Sequence, residues 1–401
     1  PMTSTVFSGG QIFDGTGAAP ERGDVRVENG RITEIGVGLS GDVEVDVSGK
    51  TLFPGFFDCH VHLTMTTIDT VERLNTPLSY RFYQAIHNMQ VTLDAGITSV
   101  RDASGADLGV KQAVDNGLVA GPRMQISIAM LSQTGGHGDG HVLCGAQLRM
   151  PYPGAPSGVV DGPDEMRKRV RELVREGASV IKVATSGGVL SPISDPTRGH
   201  LRDVELEVLV EEATAAGLHV MAHAQATDGI KAAIRSGIRS IEHGIYLDDE
   251  AIQMMLDRGT YLVPTLLAPR MVVEAADGGS RLSDRVLEKV HMVIEAHTDS
   301  ISRAIDAGVK IAMGTDSGVG PHGQNLRELG LMVDAGLTPT QALVATTKTA
   351  AELLGVEDDL GTIQEGKLAD LVVVDGNPLD VSQLQANICG VYKSGELVAG
   401  G

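Results

Sequence analysis

Six residues of this chain have the types and spacing to hold metal ions. His60 and His62 flank a single valine, so an extended strand places both imidazoles on one side. Lys182 interrupts the apolar run SVIKVATS, and His223, His243 and Asp316 stand at the polar ends of MAHA, SIEHG and GTDS. Imidazole and carboxylate are good ligands for zinc and related divalent ions. Each residue also has a plain role when taken alone. A strand-end histidine is most often structural, Asp316 could cap a following helix, and Lys182 could be a buried amine paired with a carboxylate. What joins them is convergence: residues repeating one strand-end position around a ring would meet at a single rim.

The elements that must carry them alternate through the middle of the chain. Strands are expected at 53–63, 98–103, 123–131, 179–186, 219–224, 240–244, 261–267 and 310–317. Amphipathic segments such as MRKRVRELVREG and GIKAAIRSG lie between them and end in glycine, a common helix stop. Eight such units predict a (β/α)₈ TIM barrel over 54–356, with its active site at the C-terminal ends of the strands. Two connections, 132–162 and 187–203, are long and aperiodic and should emerge at that face. Both chain ends read instead as short alternating strands with turns at ENG and SGK. They predict a small β-sandwich domain composed of residues 1–53 and 357–401.

The bulk properties exclude other classes. A net charge of −20 without a Lys/Arg-rich run argues against nucleic-acid binding. The most basic stretch, 167–175, alternates with glutamate and reads as a solvated helix face. No apolar run is long enough to span a membrane, and the first residues lack the pattern of a signal peptide. Three widely spaced cysteines, Cys59, Cys144 and Cys389, suit a reducing compartment, so a cytoplasmic enzyme is expected. The absence of tryptophan excludes an indole-lined pocket.

The chain resembles the amidohydrolase superfamily, and within it the group related to imidazolonepropionases and Xaa-Pro dipeptidases. The resemblance is carried by FPGFFDCHVH, GITSVRDA, LSQTGGHGD, IKVATSGG, MAHA, SIEHG, GTDSG and the tail LGTIQEGKLADLVVVDGNP. It implies that His60, His62 and Asp316 hold one metal and that His223 and His243 hold a second. Lys182, carboxylated on its amine, would bridge the two, with zinc first among the candidate ions. An apolar strand favours the neutral amine that carboxylation requires. The expected reaction is hydrolysis of an amide bond in a small molecule, such as an Xaa-Pro or other dipeptide or an N-acyl amino acid. A metal-bridging hydroxide would attack, and Asp316 would shuttle its proton to the leaving amine. Relatives also suggest a homo-oligomer.

Further expectations concern residues around this set. His137 should face the substrate, against the plain alternative of a solvated loop histidine. Tyr246 could offer its hydroxyl to the tetrahedral intermediate or simply pack, and His322 could reach the mouth or cap a helix. Arg101 and Asp102 are expected to form a structural ion pair, Cys59 to pack, and His141, His200, His219, His291 and His297 to lie on the surface. Two departures bear on specificity. Dipeptidase-like relatives often carry tyrosine where this chain has Gln225, and the HxxE of deaminases reads here His223-Ala224-Gln225-Ala226. Two alternatives stand beside the amide reading. One is a mononuclear hydrolase or deaminase acting on a cyclic amidine or lactam, and the other is a non-catalytic scaffold.

Overall fold

The computed structural model describes residues 4–400; positions 1–3 and 401 of the expected composite domain lie outside that range. The two ends of the chain share one eight-stranded sheet. Thr5–Ile12, Glu21–Glu28, Arg31–Gly36, Val43–Asp46 and Thr51–Pro54 come from the first end, and Leu371–Val374, Ile388–Lys393 and Glu396–Gly400 from the other. The halves join where Thr51–Pro54 pairs antiparallel with Leu371–Val374.

The hydrogen bonds trace one continuous sheet, in keeping with the expected β domain shared by both termini. Its first strand changes register between Phe7 and Gly10. Along one edge it pairs with Val43–Asp46 up to Ser8, then with Thr51–Leu52 from Gln11 onward. Gly9 sits at this break with φ +82°, and a Cβ there would lie 2.4 Å from the Ser48 hydroxyl. Phe7, Val25, Val27, Ile32, Leu52, Leu371 and Val373 are buried together as the core of this sheet.

Between the ends lie parallel strands and helices. Phe56–Val61, Ile97–Asp102 and Arg123–Ile126 form one parallel sheet. Met130–Leu131, Ile181–Ala184, Val220–Ala224, Ser240–His243 and Tyr261–Val263 form a second. The expected strand 123–131 is thus split, and at the break Ile128 takes φ +66°. The expected strand 310–317 is an irregular segment that bonds to both sheets. Lys310 O accepts from Leu262 N at 2.8 Å, Met313 O from Cys59 N at 2.9 Å and Ser317 O from His62 N at 2.8 Å.

The helices follow the sequence pattern. In Pro163–Arg175 proline opens the first turn, Asp164 and Glu165 face the positive end of the helix dipole and Arg175 the negative end. Met166, Val170 and Leu173 recur at helical spacing and are buried, each worth about 1.5–3 kcal/mol of burial. Thr227–Ser236 and Asp249–Arg258 both stop at a left-handed glycine, Gly237 and Gly259. The long connections predicted after Leu131 and after Ala184 are present. Cys59, Cys144 and Cys389 are unpaired, and Cys59 packs in the core as expected. Among the described residues no helix is long and apolar enough to cross a membrane.

Candidate metal centre

Strand geometry delivers the candidate ligands to one place. Lys182 pairs with Met221 across the sheet, His223 with Glu242 and Ala224 with His243, so neighbouring strands present these residues at similar heights. Asp316 is tied directly to the first strand, because its backbone N–H donates to His60 O at 2.7 Å. His60, His62, Lys182, His223, His243 and Asp316 all open into one cavity of about 760 Å³. Ligand atoms of His60, His243 and Asp316 lie within 4.8 Å of one another. The His223 ring is 4.7 Å from that of His243, and Lys182 Nζ is 3.4 Å from His60 Nε2.

Each of the four histidines spends one ring nitrogen on the surrounding protein. His60 Nδ1 donates to Glu242 Oε2 at 2.7 Å, and His62 Nδ1 donates to Ser104 O at 2.8 Å. His223 donates from Nε2 to Gly187 O at 3.0 Å. His243 Nδ1 donates to Thr265 Oγ1 at 2.7 Å, since that hydroxyl gives its own proton to Pro264 O. These bonds fix the tautomers. Nε2 of His60, His62 and His243 and Nδ1 of His223 keep free lone pairs, as metal-ligating histidines do.

The carboxylate tests whether a cation would fit among these residues. Asp316 Oδ1 is buried and has no hydrogen-bond donor. Nε2 of His62 and His60 nonetheless stand 3.1 and 3.4 Å from it. Two imidazole lone pairs facing a carboxylate oxygen repel one another unless a positive charge lies between them. The donor set therefore fits a divalent metal. Burial also keeps the ligands in ligating form, lowering His223 to about 3 and His243 well below the usual imidazole range. The Lys182 amine is pulled by burial down to about 8, with no carboxylate bonded to it.

Backbone strain accompanies the convergence. His243, Thr265 and Asp316 have φ of +74°, +48° and +62°, a region costing roughly 1–3 kcal/mol for residues with side chains. At His243 this breaks the alternation of its strand, so that Glu242 and His243 serve the same centre. Glu242 is the residue that the sequence reading missed. It is fully buried, accepts from His60, from Ser240 Oγ at 2.5 Å and from Arg101 Nη2 at 2.9 Å. Burial acts to raise its carboxyl, but Arg101 and His60 hold it at about 2.

Other expectations are corrected. Arg101 pairs with Glu242 rather than Asp102, whose carboxylate instead accepts the backbone N–H groups of Leu63, Ser104 and Ala106. His297, expected on the surface, is buried and donates to His243 O at 3.0 Å and Pro264 O at 2.7 Å. His200 is also buried, while His141 opens into the cavity. His137 does face the cavity, stacked on His223 at 4.0 Å between ring centres and 10° from parallel. Tyr246 packs in an apolar cluster with Val189, Ile245 and Val286 and is not among the residues lining the cavity. His322 bonds to Met65 O at 2.9 Å, and Gln225 is buried with its backbone N–H on Ser186 Oγ; neither lines the cavity.

Residues 51–398 match the model of the amidohydrolase family. The chain belongs to the amidohydrolase family. It is a hydrolase of that family's C–N-cleaving kind, and it is similar to proteins of several names. Aspergillus niger ochratoxinase is 36% identical over 369 residues, covering 87% of this chain and 76% of that protein. An imidazolonepropionase from Geobacillus sp. is 26% identical over 387 residues, covering 88% of this chain and 84% of its own. Among solved structures, an Xaa-Pro dipeptidase with methionine bound in its active site superposes with a TM-score of 0.91 at 32% identity, covering 99% of this chain and 100% of that one.

Proposed function

We propose that this amidohydrolase is a binuclear metal-dependent enzyme that cleaves an amide C–N bond of a small molecule, such as a dipeptide or an N-acyl amino acid. The observation that carries the reading is the arrangement of four histidines, each with one nitrogen committed to the protein and the other free, around an unpartnered carboxylate and a buried amine. In this reading the two parallel sheets and segment 310–317 form one closed (β/α)₈ barrel, with the centre at the C-terminal ends of its strands.

His60, His62 and Asp316 would hold one divalent ion, and His223 and His243 the other, with zinc the first candidate. Lys182 would bridge them as a carbamate: its neutral amine adds to CO₂ and loses a proton, and burial raises the fraction of amine that is neutral. When bound, the metals supply a hydroxide at neutral pH and polarise the substrate carbonyl. Asp316 accepts the proton of the attacking water on its free oxygen and passes it to the leaving amine. His137, held in place by its stack on His223, presents its ring to the substrate carbonyl.

Elemental analysis of the purified protein by plasma mass spectrometry tests this reading, together with a screen of dipeptides and N-acyl amino acids. About two divalent ions per chain and turnover of members of that screen are expected. One ion per chain with turnover of cyclic amidines or lactams would replace it with the mononuclear reading. No metal after reconstitution would end both.

A further inference from the structure

Left-handed backbone at residues with side chains persists only where surrounding bonds over-determine it. Two of the strained residues at the centre, Thr265 and Asp316, are held from one place. Asn325 and Glu328 stand one turn apart where the helix Arg327–Asp334 begins, Glu328 N–H donating to Asn325 O at 3.2 Å. Both are fully buried, and neither lines the cavity.

Glu328 reaches the turn that follows Tyr261–Val263. Its two oxygens accept the N–H groups of Leu266 and Leu267, each at 2.8 Å. These groups open the helix Leu267–Asp277, whose N-cap Leu266 has no side chain to satisfy them. They also fix the two residues after Thr265, while His297 fixes Pro264 O before it. Thr265 is thereby kept at φ +48°, unfavourable for a β-branched residue, with its hydroxyl on His243 Nδ1. Glu328 forms no ion pair with any described residue, and burial pushes its carboxyl up to about 8. Capping alone explains such a group poorly, because serine, threonine or asparagine at position 266 would cap the helix without burying a carboxyl.

Asn325 reaches the other way. Its Nδ2 donates to Asp58 Oδ2 at 2.7 Å. The same carboxylate accepts the His60 N–H at 3.0 Å, the Thr315 N–H at 3.1 Å and the Thr315 hydroxyl at 2.6 Å. Ser317 N–H donates to Thr315 Oγ1 at 3.0 Å, and Ser317 Oγ lies 3.4 Å from Asn325 Nδ2. Asp58 thus joins the backbone of His60 to the residues on both sides of Asp316, whose φ is +62°.

We infer that Asn325 and Glu328 are positioning residues, the two arms of a brace in which Glu328 sets His243 through Thr265 and Asn325 sets His60 and Asp316 through Asp58. The inference rests on the binuclear reading for the ion that each arm serves. Glu328 serves the ion of His223 and His243, and Asn325 serves the ion of His60, His62 and Asp316.

The test is titration of the metal-depleted protein with cobalt(II), whose visible absorption follows its coordination geometry. Wild type should take up two ions, and His62→Ala and His223→Ala assign each step to its site. In Glu328→Gln the amide nitrogen cannot accept an N–H, so one of Leu266 and Leu267 is released. Affinity at the site of His223 and His243 should fall roughly tenfold, the low end for loss of an outer partner, with a shifted absorption band and the other site unchanged. Asn325→Leu should do the converse. In a Thr265→Val background Glu328→Gln should add nothing, because both changes cut one link. Two ions bound with unchanged affinities in folded variants would overturn the inference and leave the binuclear reading standing. An equal fall at both sites in either variant, the mark of general loss of stability, would also overturn it, as would full additivity with Thr265→Val. If Glu328→Gln does not fold, Thr265→Val alone tests that arm, and unchanged affinity there overturns it. A single ion in wild type would end the binuclear reading, and the brace would then stand if that ion weakens in either variant and fall if it weakens in neither. No ion in wild type would end both.

Discussion

Replacing Glu242 with glutamine probes the centre without touching a ligand. Glutamine keeps the volume but has one acceptor oxygen where glutamate has two. Glu242 uses both: Oε2 takes the His60 Nδ1 proton, and Oε1 takes Arg101 and Ser240. The guanidinium is the stronger partner, so the amide oxygen should turn to Arg101 and the NH₂ to His60. Two donors cannot face each other, and His60 must move its proton to Nε2, the atom that should ligate the metal. Loss of such an outer partner weakens metal binding by about 10- to 100-fold, or ~1.4–2.7 kcal/mol. Arg101 also loses its counter-charge. Breaking a buried pair costs about 3–5 kcal/mol of stability, and the retained oxygen should keep this case near the lower end. Competition with a chromophoric chelator gives the affinity, and thermal unfolding of the metal-depleted protein gives the stability. Unchanged metal affinity in a folded variant would refute the tautomer argument, and with it the assignment of His60 Nε2 as a ligand atom.

Four other outcomes are expected. Lys182→Ala should lose metal and activity together, and full activity without added bicarbonate or another carboxylate would exclude the bridging carbamate. Asp316→Asn should abolish turnover while circular dichroism shows an intact fold; near-normal turnover would remove it as proton shuttle. Lys289 holds the loop 187–194 by donating to Gly188, Ser191 and Ser194 carbonyls, so Lys289→Met should free Gly187 O from His223. Elemental analysis should then fall from two ions toward one, and an unchanged count would show that the clamp does not position His223. Gly188→Ala would place a Cβ 2.3 Å from the His137 ring, forcing it off His223. A fall in kcat/KM of roughly 100-fold is expected, since a misplacement near 1 Å can cost that much; an unaltered value would leave His137 without a catalytic part.

The candidate ligands were legible because they stand at strand ends in short, strongly patterned segments, and period-two geometry orders them. What supports them was not. Glu242 and Arg101 each look like a stray charge within an apolar strand, and their pairing joins positions 141 residues apart in sequence. Alternation also argued against Glu242, and only the left-handed backbone of His243 brings both residues to one centre. His297 is a different case. It falls on the buried face of Asp284–Ala307 with Val286, Val290, Val293, Ile301 and Ala304, so helical periodicity could have placed it inside. The strand at 310–317 was expected to be regular. Its Asp316 takes a left-handed φ, and its bonds go first to one sheet, at Leu262, and then to the other, at Cys59, His60 and His62.

The pairing of Thr51–Pro54 with Leu371–Val374 has a consequence for how the protein is made. During synthesis the first strands emerge more than 300 residues before the partner of their last one. Until then the Thr51–Pro54 edge is open, and only Gly55 separates it from the strand that bears His60 and His62. Gly55 N–H in turn donates to Asp370 O at 2.7 Å, a bond that also waits for the tail. The chain thus pays its largest loop-closure entropy at the end. The strand bearing His60 and His62 is fully anchored only after Leu371–Val374 has been made, and until then the open edge beside it is an aggregation hazard.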